Sequence, residues 1–340
     1  MRPTPAALLA SPLLLAGACS QSYDNPFAGS VRTAQLPARA AIVFSSNSYG
    51  SAGAPNELFA VEGSGAGLTR LTFCNQADRP CASVEAAVAP DRARFAVRRV
   101  LADSNRDGRL DDQDAAGLVF LDVSRGVEAP LLPETARVSG VDWSPTEELL
   151  LLSAVGAAGL DDLFTLPPNS TSSQNLTGSA GLSERRPRFN ALGSTGIYER
   201  IDETAKALVY ILFAAQPRLT SGGPGTERLP GTPWVVGSDA DPDFSPDGRR
   251  AVFRRLTGTG GRGLGSWDLM LVNLADGSLS TVASGPAYRG APDWGSAGIV
   301  FTEADADGAR LVVVQPDGSD RRVLLAVAPS FDLQNPRWLP

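Results

Sequence analysis

Asp241-Pro242-Asp243-Phe244-Ser245-Pro246-Asp247-Gly248, followed by the apolar alternation of residues 249–254, decides the fold. Pro246 presets the first corner of a turn, Asp247 can cap the turn backbone, and Gly248 tolerates positive φ. Phe244 stands ahead of the turn as an apolar anchor. The pattern recurs along the chain. Val141-Asp142-Trp143-Ser144-Pro145 leads into 149–153, and Ala291-Pro292-Asp293-Trp294-Gly295 leads into 299–301. Arg186-Pro187-Arg188-Phe189 leads into 196–201, and a degenerate copy, Ala87-Val88-Ala89-Pro90-Asp91, leads into 94–97. Asn335-Pro336-Arg337-Trp338 is followed only by Leu339 and Pro340.

The anchors Val88, Trp143, Phe189, Phe244, Trp294 and Trp338 stand 44 to 55 residues apart, the period of a four-stranded propeller blade. Further apolar strands follow each anchor at 57–61, 118–123, 162–166, 208–213, 268–272 and 311–314, with short outer strands at 68–73 and 323–326. The ends complete each other. Residues 41–45 form a strand with no anchor before it, and Trp338 is an anchor with no strand after it. Docking the C-terminal strand as the innermost strand of the first blade removes both deficits and both open edges. The expected fold is therefore all-β: a six-bladed β-propeller of four-stranded blades over residues 39–340. The competing reading is a two-domain β protein with coincidental spacing.

Composition agrees. The chain has 340 residues and is 43% apolar, with 35 Gly and 26 Pro, as suits a turn-rich β protein with a sizeable core. Its net charge of −7, without a basic run, argues against nucleic acid as a partner. Histidine is absent, which excludes Ser-His-Asp and Cys-His catalysis and histidine zinc sites.

Arg2 and the short apolar run 6–18 read as a signal peptide over 1–18 rather than a spanning helix. Leu15-Ala16-Gly17-Ala18-Cys19 resembles the bacterial lipobox, with Ala16 where Leu is usual. That resemblance implies lipidation of Cys19 and a tether over 19–38. Ser20 replaces the Asp that retains such proteins at the inner membrane, which implies the outer membrane, facing the periplasm or the cell surface. An ordinary secretory signal is the alternative. Cys74 and Cys81 remain, and in an oxidising compartment they read as a disulfide or, alternatively, as two buried thiols.

Ser245-Pro246-Asp247-Gly248 with the later strand Asp268-Leu269-Met270-Leu271-Val272 resembles the PD40 repeat of TolB-like propellers. The resemblance covers about 39–340 and is strong in the fifth blade alone. It implies a six-bladed ring that binds other molecules. TolB proteins also have an N-terminal α/β domain, for which this chain has no room, and they are soluble. Their partner-contacting residues have no match here.

One loop stands apart. Asp103-Ser104-Asn105-Arg106-Asp107-Gly108-Arg109-Leu110-Asp111-Asp112-Gln113-Asp114 carries oxygen side chains at positions 1, 3, 5, 9 and 12 and glycine at position 6. Acids at alternate positions converge on one ion where the chain wraps it, and Arg109 would add its carbonyl. The expected ligands of a structural calcium ion are Asp103, Asn105, Asp107, Arg109, Asp111 and Asp114, with Asp114 in the place of Glu, as in the dockerin variant. A solvated acidic turn is the alternative. Glu303, Asp305 and Asp307-Gly308 look like a truncated copy without the last ligand.

The long segments 47–56, 103–114, 256–266 and the Cys74–Cys81 link fall on one face of such a ring, opposite the signature turns. Recognition belongs there. These readings point to a monomeric, non-enzymatic envelope scaffold, held at the membrane by its lipid alone, for a protein or surface glycan. The alternative is a propeller glycosidase or polysaccharide lyase working through paired carboxylates, which unpaired channel carboxylates would favour.

Overall fold

The computed structural model describes residues 35–48, 53–74, 81–178, 181–202, 210–215, 227–228 and 239–340. The signal run, Cys19 and most of the tether lie outside the described residues. Among the described residues there are six four-stranded antiparallel sheets, built as a β-propeller. From the centre outward, the first blade is β24 (Leu333–Trp338), β1 (Ile42–Ser46), β2 (Glu57–Val61) and β3 (Thr69–Arg70). The second is β4 (Ala82–Val88), β5 (Arg94–Val100), β6 (Ala116–Asp122) and β7 (Val127–Leu132). The third is β8 (Gly140–Trp143), β9 (Leu150–Val155), β10 (Asp161–Leu166) and β11 (Gln174–Asn175). The fourth is β12 (Leu182–Phe189), β13 (Gly196–Asp202), β14 (Tyr210–Ala215) and β15 (Glu227–Arg228). The fifth is β16 (Asp239–Phe244), β17 (Arg250–Gly258), β18 (Ser266–Asn273) and β19 (Leu279–Ala283). The sixth is β20 (Tyr288–Gly295), β21 (Gly298–Asp305), β22 (Gly308–Val314) and β23 (Arg322–Val327).

The ring closes between its ends. β24 pairs antiparallel with β1, with Ile42 opposite Trp338 and Ser46 opposite Leu333. Each innermost strand touches the next, from β4 through β8, β12, β16 and β20 to β24 and back to β4. The core is a set of apolar wedges between neighbouring blades. Ile42, Phe44 and Phe59 of the first blade meet Val300, Leu311 and Val313 of the sixth in one such wedge. Val252 and Leu271 meet Trp294, Phe301 and Val312 in another.

The signature residues set the shape of the innermost strands. Pro187, Pro242 and Pro292 cannot donate to a ladder, and β12, β16 and β20 each shift register across them. The residue before each proline takes up the bulge in a left-handed conformation: Arg186 at φ 52°, Asp241 at 50°, Ala291 at 47°, and Asn335 before Pro336 at 48°. Such backbone is costly for residues with a side chain and persists where the surroundings fix it. The turn after Phe244 is held by its own side chains. Asp247 Oδ1 accepts from Ser245 Oγ at 2.6 Å and from Arg249 N at 3.1 Å, and Gly248 has φ 67°.

The aspartate ahead of the anchor stitches blade to blade. Asp142 Oδ2 accepts from Phe189 N at 2.7 Å, Asp243 Oδ2 from Trp294 N at 2.6 Å, and Asp293 Oδ2 from Trp338 N at 2.7 Å. The anchor rings lie over the preceding blade. Arg94 sits 5.5 Å from the Trp143 ring and Arg250 4.8 Å from that of Trp294.

Candidate functional site

Strands alternate in direction, so the β1–β2, β5–β6 and β17–β18 loops and the link from β3 to β4 emerge on one face, and the signature turns on the other. The loop face surrounds the mouth of the central channel, a cavity of about 510 Å³. Arg109, Asp112, Arg186, Asp241, Arg254 and Tyr288 are among its lining residues.

The mouth is built on buried charge. Asp241 forms ion pairs with Arg186 (Nε to Oδ1 3.0 Å) and Arg254 (Nε to Oδ2 2.7 Å). Arg254 lies between two rings, 4.1 Å from that of Trp267 and 5.3 Å from that of Tyr288. Burial raises the Asp241 carboxyl, but Arg186 and Arg254 outweigh it and hold the group below the usual carboxylate range. Its backbone N–H donates to Glu199 Oε1 at 2.5 Å. Burial, then the charge of Asp241, pushes Glu199 up to about 7.

One layer in, Glu85 is wholly buried. Its Oε1 accepts from Arg337 at 2.8 Å and Arg188 at 3.2 Å, and its Oε2 from Arg98 at 3.2 Å. Burial favours the neutral acid, but Arg188, Arg337 and Arg98 prevail and hold the carboxyl at about 2. Nearer the turn face, burial raises Asp142, and burial with the neighbouring Asp293 raises Asp243. Raised carboxyls are thus present in the channel, yet Asp142 and Asp243 each carry a blade-to-blade hydrogen bond.

The acidic loop leans over this mouth. Asp112 reaches Arg98 at 2.6 Å and Arg186 at 3.3 Å. Within the loop, Asp103 accepts from the N–H groups of Asp107 (3.1 Å) and Gly108 (2.8 Å). Asp114 accepts from those of Ser104 (2.7 Å) and Asn105 (3.2 Å), and Gly108 has φ 83°. Asn105 Oδ1 takes Asp107 N, Asp107 Oδ1 takes Arg109 N, and Asp111 Oδ1 takes Gln113 N. The carboxylates are turned onto their own backbone. Among the described residues no three acidic side chains stand together as a metal site. The donors are all oxygen and the chain wraps them around a glycine bend, a set that suits calcium over softer ions. In the truncated copy the acids are engaged by arginines: Asp305 pairs with Arg310 at 2.7 Å, and Glu303 with Arg321 at 2.5 Å and Arg289 at 3.1 Å.

Cys74 and Cys81 are bridged, with Cα atoms 5.0 Å apart, at the link between the first two blades. Arg99 Nη1 points at both sulfurs, 3.4 and 3.3 Å away, and Nη2 pairs with Glu128 at 2.8 Å. Leu101 and Leu264, each more than half exposed, stand in the loops of the same face.

The charged channel was not singled out by the sequence reading. Its one trace in the sequence is the recurrence of Asp or Arg just before the anchors.

No protein-family model and no curated protein matches the sequence. Solved structures do. TolB from Acinetobacter baumannii is 13% identical, with a TM-score of 0.67 over 88% of this chain and 67% of its own. A putative TolB from Agrobacterium tumefaciens is 14% identical, with a TM-score of 0.59 over 89% of this chain and 99% of its own. A chain of the nidogen/laminin complex is 8% identical, with a TM-score of 0.60 over 88% and 98%. At these identities the likeness is one of fold: a TolB-like propeller.

Proposed function

Starting from a TolB-like propeller whose channel charges are engaged with one another, we propose that this chain is a non-enzymatic binding scaffold of the bacterial cell envelope. Its loop face captures a protein or a surface glycan. One observation carries this reading: the exposed Leu264 and the stacked Arg254 line one open mouth on the loop face, while the channel acids are tied to arginines or to backbone. A chain of similar fold in the nidogen/laminin complex is a precedent for protein capture. Lipidation at Cys19 would hold the scaffold at the outer membrane, with 19–38 as its tether and the ring as a monomer. Among the described residues no helix is long and apolar enough to cross a membrane.

Calcium belongs to this reading. Asp103, Asn105, Asp107, Asp111 and Asp114, with the Arg109 carbonyl, would exchange their backbone hydrogen bonds for the ion. The ion would offset their mutual repulsion and fix the loop that carries Asp112. Affinity on the order of 10⁻⁴ M is expected, as for extracellular modules. Free calcium at a hundred times Kd would then add about 2.7 kcal/mol of stability, read as a rise in Tm. Asp103→Ala should abolish the rise, and an unchanged parental Tm would remove the ion from the scheme.

The decisive experiment is capture from envelope extracts with and without a chelator. A partner retained by the parent and lost on replacing 256–266 by a short Gly-Ser turn supports the loop face. Retention by that variant overturns it. The enzyme alternative has one specific feature in its favour, Glu199 at about 7 beside the ionised Asp241. Turnover of a polysaccharide panel that disappears in Glu199→Gln would establish it.

A further inference from the structure

The signature turns pack the face opposite the loops, and in five blades the innermost strand ends in a Trp or Phe anchor preceded by Asp or Arg. The second blade departs at both positions. It has Ala87 where the others carry a charged side chain and Val88 where they carry a ring. The structure is open at that point. A slot of about 160 Å³ lies there, walled by Trp143 and Trp338, with Ala87 and Val88 on one side and Asp142 and Arg337 within. That volume suits one side chain rather than a small-molecule ligand.

The charges around the slot do not balance. At the level just before the anchors, Asp142, Asp243 and Asp293 face two guanidinium groups, Arg188 and Arg337. Both guanidiniums also serve Glu85. Arg337 is further engaged by Asp293 at 3.2 Å. Asp142 gives Oδ2 to Phe189 N, and among the described residues its Oδ1 accepts no hydrogen bond. Trp143 is 4% exposed, and its indole N–H is buried without an acceptor. The Trp338 indole, by contrast, donates to Gly298 O at 3.0 Å. A carboxylate in excess over its guanidinium partners therefore stands at a slot with aromatic walls.

We propose that this slot is a second binding site, which takes a lysine or arginine side chain of a protein partner. The aliphatic stem lies between the Trp143 and Trp338 rings, and the cationic tip pairs with Asp142. An arginine supplies in trans what Arg188 and Arg337 supply in cis in the fourth and first blades. The site lies on the turn face and does not depend on the loop face being a binding surface.

The test uses the full chain labelled with ¹⁵N and acetylated, amidated tripeptides Ala-X-Ala, with X as lysine, arginine, norleucine or glutamate. The lysine and arginine peptides should shift the Trp143 and Trp338 indole resonances saturably, and the norleucine and glutamate peptides should bind at least about tenfold more weakly. Ala87→Arg places a cation in the slot and Val88→Phe fills it with a ring. Both should abolish the shifts, and their thermal unfolding reports whether the ring still folds. Asp142→Asn should weaken lysine binding about tenfold. If it does not fold, the two filling variants still decide. Equal binding of norleucine and lysine would reduce the slot to an apolar dent. Binding of glutamate alone, unchanged binding in Ala87→Arg, or no shift with either cationic peptide would overturn the proposal.

Discussion

Asp142, Asp243 and Asp293 hold the same place in three blades, and each spends an oxygen on the N–H that opens the next anchor. Replacing Asp243 by Ala leaves Trp294 N without that acceptor and should cost about 1–3 kcal/mol, measured by urea unfolding. Glu85 and Glu199 make opposite predictions. The Glu85 carboxyl falls from its ordinary 4.5 to about 2, so its contribution is complete above pH 4.5 and is lost as pH drops towards 2. The stability gap between the parent and Glu85→Gln should therefore close over that interval. Glu199 rises from 4.5 to about 7, so the folded state holds its proton longer than the unfolded chain. The parent should lose stability relative to Glu199→Gln as pH climbs from 4.5 to 7, and no divergence there would contradict the buried pairing. None of this was legible residue by residue. An Asp before an aromatic reads locally as turn chemistry, and its partner lies about fifty residues away, in another sheet.

The strands were far more legible than the side chains that join them. Short apolar runs placed β2, β6, β10, β18 and β22 within a few residues of where they stand, because a strand packed between neighbouring blades is buried on both faces. The bulges escaped notice although their cause was in plain view. Pro187, Pro242 and Pro292 sit inside ladders where proline has no donor to give, so the strands slip around them. Sequence pattern reports period, and a slip of register leaves the period on either side intact. At this scale Gly295 is a sensitive point. A Cβ there would come within 2.5 Å of Trp338 Cγ, backbone against a packed ring. Gly295→Ala should cost about 1–3 kcal/mol through displacement of that ring, and the shift in Trp338 emission and the loss of Tm should appear together. The bridge between Cys74 and Cys81 closes a short loop, so Cys74→Ser with Cys81→Ser should cost about 2–3 kcal/mol, the lower part of the range for such cross-links.

For the molecule as a whole, what could be read without coordinates was the closure. The unmatched first strand and the unmatched last anchor sit opposite each other as Ile42 and Trp338. Deleting 333–340 should leave β1 with a bare inner edge and convert cooperative unfolding into aggregation from a partly ordered chain, followed by light scattering during refolding. Which face is offered to partners depends on loop length and on charge neutralisation across five or six sheets, and a linear pattern holds only the first of these. Closure also governs the order of assembly. β1, β2 and β3 leave the ribosome nearly three hundred residues before the strand that completes their sheet, so for most of its birth the first blade is the least finished part of the protein. A chain built this way is exposed to wrong pairing throughout its synthesis, because its oldest segment is also the last to become safe from its neighbours.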